Sequence, residues 1–198
     1  GNDVMRGGAG NDTYIVDSTT DSISEAPSEG TDTVQSSVTF SLAAFANVEN
    51  LTLAAGVTNI NGTGNGEKNV ITGNDGNNSL SGGDNADTLI GNAGDDTLDG
   101  GEGNDRLFVT GGRAITIRGD AGDDIVDIYG GVGISAVGGI GNEQLRIFGS
   151  LGGALDAGKV YALLDGQDGN DRLEVLPLLS VADRGPIPIL PIPSIAVP

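Results

Sequence analysis

Asp87, Asp96 and Asp105 stand nine residues apart, each closing a glycine-rich hexapeptide and each followed two places later by a leucine. Carboxylates support two kinds of chemistry here. They are hard oxygen donors for a divalent cation, or, in pairs such as Asp95 and Asp96, an acid and base for glycosidic bond cleavage. Repetition separates the two, because an active site is built once and these carboxylates recur. The chain has no histidine and no cysteine. That removes histidine-based zinc sites, Ser-His-Asp triads, the usual general base and any disulfide framework. A polysaccharide-acting enzyme would have only Tyr14, Tyr129 and Tyr161 as sugar platforms. Phosphate-cradling loops of the G-x-G-x-x-G or Gly-Lys-Ser/Thr type are missing. The expectation is therefore a binding protein, not an enzyme.

Charge points the same way. The formal net charge is −19 over 198 residues, with a pI near 4.1. That excludes the basic patch nucleic acid needs and disfavours anionic membrane surfaces, and no apolar run has membrane-spanning length. Cations are the smallest partners such a chain would attract.

The elements that position these carboxylates follow from the register. From Gly64 the chain reads in nines without a gap: GNGEKNVIT, GNDGNNSLS, GGDNADTLI, GNAGDDTLD and GGEGNDRLF. Position eight holds Ile71, Leu80, Leu89, Leu98 and Leu107, and position six holds Asn69, Asn78, Asp87, Asp96 and Asp105. Further copies start at Gly7, Gly119 and Gly166, and the opening GNDVMR places Asp3 and Met5 in the same register. Six residues of Gly, Asn and Asp make a turn, since glycine and asparagine tolerate positive φ. Three residues with an apolar centre make a short strand. Two units return the chain to its starting side, and coils stack about 4.8 Å apart with the position-eight side chains inward. The fold class expected is all-β, a parallel β-roll or β-helix solenoid. Stacking also brings the position-six carboxylates into columns, where repulsion would part the coils unless a cation lies between them.

The repeat resembles the nonapeptide of the repeats-in-toxin (RTX) family, G-G-x-G-x-D-x-U-x with U apolar, a known calcium-binding β-helix signature. The resemblance implies several Ca2+ ions, each between turns of neighbouring coils on the same side, with six to eight oxygens from carboxylates and backbone carbonyls. Turns starting at Gly64 and Gly82, at Gly73 and Gly91, and at Gly82 and Gly100 would each share an ion. Asp87, Asp96 and Asp105 are the first ligands implied, followed by Asp12, Asp124 and Asp171, then Asn78 and Asp3. Gly73, Gly76, Gly82, Gly91, Gly94, Gly100, Gly103, Gly122 and Gly169 would turn their backbone toward the metal. Asn69 and Asn78 supply neutral oxygens and should weaken the first sites. Glu67 and Asn85 depart from the glycine expected at position four, and Glu143 places a longer side chain at position six.

Five segments are expected: repeats over 1–17, wider strand-rich coils over 18–63, the central run over 64–108, degenerate coils over 109–174, and an apolar tail over 175–198. In the second, TVQSSVTFSL alternates, with Val34, Ser36, Val38, Phe40 and Leu42 on one face. In the fourth, Ile115, Ile117, Ile134 and Val137 are expected inside. SLAAFANVEN is the one modest helix candidate. The tail carries six of the seven prolines, at Pro177 and beyond. It would cap a solenoid end or dock on a second copy, giving end-to-end self-association. RGD at Arg118–Asp120 is already accounted for by the nonapeptide. The function expected is a secreted, extracellular or cell-surface calcium-binding β-roll of bacterial type, structural or adhesive, as in a surface layer, matrix or filament. The family's type I secretion route fits poorly with the proline-rich end. The alternative is the calcium-folded C-terminal export module of a larger RTX enzyme or toxin.

Overall fold

The computed structural model describes residues 1–131, 133–150, 160–162 and 169–178. Among these the chain alternates between two walls of parallel strands. The strands are β1 (Val4–Arg6), β2 (Thr13–Val16), β3 (Ser22–Ser24), β4 (Thr33–Ser36), β5 (Phe40–Ser41), β6 (Asn50–Leu53), β7 (Gly62–Thr63), β8 (Val70–Thr72) and β9 (Ser79–Asp84). They continue as β10 (Thr88–Asn92), β11 (Thr97–Glu102), β12 (Arg106–Val109), β13 (Thr116–Ala121), β14 (Ile125–Ile128), β15 (Ile134–Ile140), β16 (Gln144–Ser150), β17 (Val160–Ala162) and β18 (Arg172–Leu178). Even-numbered strands form a nine-stranded sheet from β2 to β18 in chain order. Odd-numbered strands form a seven-stranded sheet from β5 to β17, with β1 and β3 paired separately. The molecule is an all-β parallel solenoid of about eight turns, two strands to a coil.

Coil length follows the repeat where the repeat is regular. Thr88 pairs with Val70 and with Arg106, eighteen residues away in each direction. Arg106 pairs with Ile125, and Ile125 with Gln144, at nineteen. Between residues 18 and 63 the coils are unequal rather than uniformly wider: Thr33 to Asn50 spans seventeen residues, Asn50 to Val70 twenty. The stretch TVQSSVTFSL keeps its alternation but turns a corner between β4 and β5, where the Ser36 hydroxyl donates to the Val38 carbonyl at 2.7 Å.

The core is a stack of single side chains. Tyr14, Val34, Leu51, Ile71, Leu89, Leu107, Val126 and Leu145 lie in register along the even sheet, all buried. Leu80, Leu98, Ile117 and Ala136 do the same along the odd sheet. Each leucine buried this way contributes about 1.5–3 kcal/mol, realised only when neighbouring coils cover it. One expectation fails: on β15 the inward residue is Ala136, and Val137 faces outward beside Arg118. Strand parity leaves no choice, since Ile134 already points inward. SLAAFANVEN forms two tight turns with Asn47 at φ 68°, not a helix, and Phe45 stacks on Phe40 at 5.4 Å. β18 runs across residue 175 and pairs Pro177 with Gly149, so the first residues of the expected tail belong to the sheet. Residues 179–198 lie outside the described residues.

Candidate metal centre

Glycine at position one of each acidic turn is required by the carboxylate at position six. A Cβ built at Gly82, Gly91, Gly100 or Gly119 would strike the Oδ2 of Asp87, Asp96, Asp105 or Asp124 respectively. Positions two and four take the left-handed backbone. The pairs are Gly8 and Gly10, Gly83 and Asn85, Asn92 and Gly94, Gly101 and Gly103, and Asp120 and Gly122. Asn85 thus replaces glycine with one of the few side chains that enter this region cheaply. Carbonyls of the preceding coil press against these positions: Gly83 O against Gly101, Gly76 O against Gly94, Asn85 O against Gly103 and Gly103 O against Gly122. No side chain fits at these four glycines, so backbone oxygen lines the space between turns.

From Asn69 to Asp124, position six on one edge is an unbroken hydrogen-bonded column. The N–H of Asn69 donates to Asp87 Oδ1 at 2.7 Å, that of Asp87 to Asp105 Oδ1 at 2.8 Å, and that of Asp105 to Asp124 Oδ1 at 2.8 Å. On the opposite edge the Asn78 N–H donates to Asp96 Oδ1 at 2.9 Å. Each carboxylate therefore ties its coil to the one before with one oxygen. The other oxygen has no partner: Oδ2 of Asp12, Asp32, Asp87, Asp96, Asp105 and Asp124 is buried and without a hydrogen bond, as are both oxygens of Glu143. An uncompensated buried carboxylate costs several kcal/mol.

The titration of these groups reflects that cost. Burial pushes the Asp87 and Asp124 carboxyls up to about 7 and that of Asp96 to about 6, and it raises Asp105. The backbone N–H each accepts works against the shift without overcoming it. Glu143 is raised by burial and then by the neighbouring Asp171. Buried, like-charged oxygens facing backbone carbonyls fit a hard divalent cation. Asp87, Asp96, Asp105 and Asp124 would hold it, with position-two and position-four carbonyls. Bound there, calcium supplies positive charge that cancels the repulsion between coils.

The remaining expected ligands are distributed as follows. Asp171 continues the column, its Oδ1 accepting from the Glu143 N–H at 3.3 Å, with Gly169 packed on the Gly141 carbonyl. Asp12 donates its N–H to Asp32 Oδ1 at 2.8 Å, and Asp32 donates to Glu49 Oε2 at 2.7 Å. Asp12, Asp32 and Glu25 bring carboxylate oxygens within 4.8 Å of one another, with the Tyr14 hydroxyl donating to Glu25. Asp3 joins Asp17 and Asp21 in a second such group, its N–H donating to Asp21 Oδ1 at 2.9 Å. Asn78 and the adjoining Gly73 and Gly76 lie in a turn closed by its own hydrogen bonds. The Asn78 amide donates to Ile60 O and to Asn74 Oδ1.

Sequence reasoning missed Asp17, Asp21, Glu25, Asp32 and Glu49. Three of them were signalled: D-S-I, D-T-V and E-N-L keep the position-six to position-eight spacing without the full glycine pattern. It also missed a second ladder at position five. There the N–H of a later coil donates to the side chain of an earlier one: Asp95 to Asn77, Asp123 to Asn104, and Asn142 to Asp123, at 2.8–3.0 Å.

Compared with known families, the chain matches the RTX calcium-binding nonapeptide repeat, in its four-copy form, over residues 1–23, 63–98 and 81–113. No curated protein and no solved structure matches it. The matched segments contain Asp3, Asp12, Asp21, Asp87, Asp96 and Asp105, whereas Asp32, Asp124 and Asp171 extend the column beyond them. With the columns of buried carboxylates and the parallel coils that stack them, the match shows that the chain carries RTX calcium-binding nonapeptide repeats, built into a parallel β-solenoid consistent with an RTX β-roll.

Proposed function

We propose that the chain is a secreted structural or adhesive β-roll that folds when it meets extracellular calcium. RTX repeats are typical of secreted bacterial proteins. The observation that carries the reading is the set of buried carboxylate oxygens without partners, repeated in successive coils. A catalytic site is a single constellation, and this arrangement is a lattice of equal ones, which supports a scaffold over an enzyme. A groove of about 480 Å³ beside β2, β4 and β6 is lined by Ile15, Val16, Thr52, Leu53 and neighbouring residues, with Asp75 its one carboxylate. That lining offers no acid–base pair.

Calcium at extracellular concentrations near the 10⁻⁴–10⁻³ M range of such modules converts binding energy into folding energy. In a calcium-poor cytoplasm the same columns repel. Self-association end to end is part of the proposal. β2 and β18 terminate the even sheet among the described residues, leaving strand edges of the kind that accept a further strand. The test is circular dichroism through a calcium titration combined with electron microscopy of the same samples. The expected result is coil in chelator, β-sheet with calcium but not magnesium, and ordered assemblies only with calcium. An unchanged β spectrum in chelator would overturn calcium-driven folding, and monodisperse monomers with calcium would overturn the assembly role.

A further inference from the structure

The turns at 64–69 and 73–78 are built differently from the acidic ones. None of residues 65, 67, 74 and 76 has positive φ, although both members of the five pairs given above, from Gly8 and Gly10 to Asp120 and Gly122, do. Position two is asparagine in both, and its side chain is folded into the turn and buried. The Asn65 amide donates to Phe45 O at 3.0 Å and Val48 O at 2.9 Å, both carbonyls of the preceding coil. Its Oδ1 accepts from the Glu67 N–H at 2.9 Å and from Asn69 Nδ2 at 3.0 Å. Nine residues on, at the opposite edge, Asn74 repeats the pattern. It donates to Ala54 O at 3.1 Å and Thr58 O at 3.0 Å, and accepts from the Gly76 N–H at 2.9 Å and Asn78 Nδ2 at 3.0 Å.

We propose that the Asn65 and Asn74 amides take the place of calcium in these two turns, which close without metal and divide the calcium-loaded solenoid into two blocks. The proposal rests on the calcium reading of the acidic turns and concerns where that reading stops. An asparagine side chain has two N–H donors and an oxygen with two lone pairs, and here all four are used. The two donors point at backbone carbonyls, the groups a cation would draw on. A cation entering would face the NH2 group and would have to break both bonds. Asn69 and Asn78 complete the closure by accepting the Asn65 and Asn74 N–H at 2.7 and 2.8 Å. The turns carry no charge at positions two and six, so the hydrogen bonds that close each turn on itself depend on neither calcium nor pH. On one side of this joint lie Asp3, Asp12, Asp21 and Asp32. On the other lie Asp87, Asp96, Asp105, Asp124 and Asp171.

Calcium bound per chain, measured by equilibrium dialysis of the folded protein, tests this. Asn65→Ala and Asn74→Ala should each keep the parent count, whereas Asp96→Ala should lose an ion. Asn74→Gly combined with Asn78→Asp, which rebuilds the acidic turn, should gain one ion per chain. Loss of an ion in either alanine variant overturns the proposal, as does a rebuilt variant that folds by circular dichroism yet gains none. If the rebuilt variant does not fold, the two alanine counts decide. A parent that binds no calcium would instead sink the calcium reading as a whole, a different and separately visible result.

Discussion

The two edges of the solenoid solve one problem in different ways. Along one edge, the residue before each even strand is Asp12, Asp32, Glu49, Asn69, Asp87, Asp105, Asp124, Glu143 or Asp171, an acid or its amide throughout. Along the other, Asn78 and Asp96 give way to Ile115 and Ile134, both fully buried. The backbone ladder is the same in both cases: the Ile125 N–H donates to Asp105 O, and the Ser135 N–H donates to Ile115 O, at 2.9 and 2.8 Å. The fold asks only that the inside of each turn be filled. A carboxylate with a cation does so, a folded-in asparagine does so, and so does an isoleucine. Dependence on calcium is therefore a property of individual turns, laid over a coil geometry that does not itself require metal.

The largest effect that would break this contrast is global. Chelation at neutral pH should abolish most of the β-sheet circular dichroism signal, because the acidic edge runs the length of the molecule. Retention of the full signal would mean that the isoleucine and asparagine turns suffice alone. The next effect separates the edges. Ile115→Ala should cost roughly 2–5 kcal/mol in denaturant unfolding at every calcium concentration, as a cavity does. Asp105→Ala should cost about 3 kcal/mol at calcium a hundredfold above the dissociation constant, shrinking toward zero as calcium falls. Equal calcium dependence for the two would remove the distinction.

Acidity gives a smaller effect with opposite signs in the two states. In chelator, Asp87 and Asp124 titrate in the folded coil near 7 and Asp96 near 6, above their ordinary value of 3.8. The folded chain thus binds more protons than the unfolded chain between about pH 4 and 7, so its stability rises as pH falls through that window. With calcium present, protons compete for the same oxygens, and apparent affinity should fall over the same range. Titrations of β signal against pH, with and without calcium, check both signs. The smallest effect belongs to the position-five ladder. Asn104→Ala should cost about 1 kcal/mol through loss of the bond from the Asp123 N–H, with no change in calcium count.

Much of this architecture was legible because the repeat writes turn, strand and inward side chain at fixed offsets. The leucines from Leu80 to Leu107 and the carboxylates from Asp87 to Asp105 need no tertiary information beyond that register. What escaped was whatever kept the geometry while changing the letters. Asp32 and Glu49 occupy the column without the full glycine pattern before them: Pro27 and Ala44 stand at position one, and each turn has a single left-handed residue, Ser28 or Asn47, rather than a pair. Val137 was misplaced because an apolar residue in a degenerate coil gives no sign of its parity until Ile134 is known to point inward. The role of Asn65 was hidden for a different reason. Asparagine at position two also occurs as Asn92, which adopts φ 64° and donates its amide to Gly73 O at 2.8 Å, so identity alone does not separate the two turn types.

The direction of the position-six bonds has a consequence for the order in which coils become secure. Asp87 ties down its N–H only through Asp105, and Asp105 only through Asp124, each acceptor lying eighteen or nineteen residues downstream. A coil at the growing front of such a chain is left with a sheltered donor waiting for its successor. Trimming the molecule from its C-terminal side therefore strands the position-six N–H of the coil left behind, whereas trimming from the N-terminal side strands a different set of donors, the strand and position-five N–H groups such as those of Ile125 and Asp123.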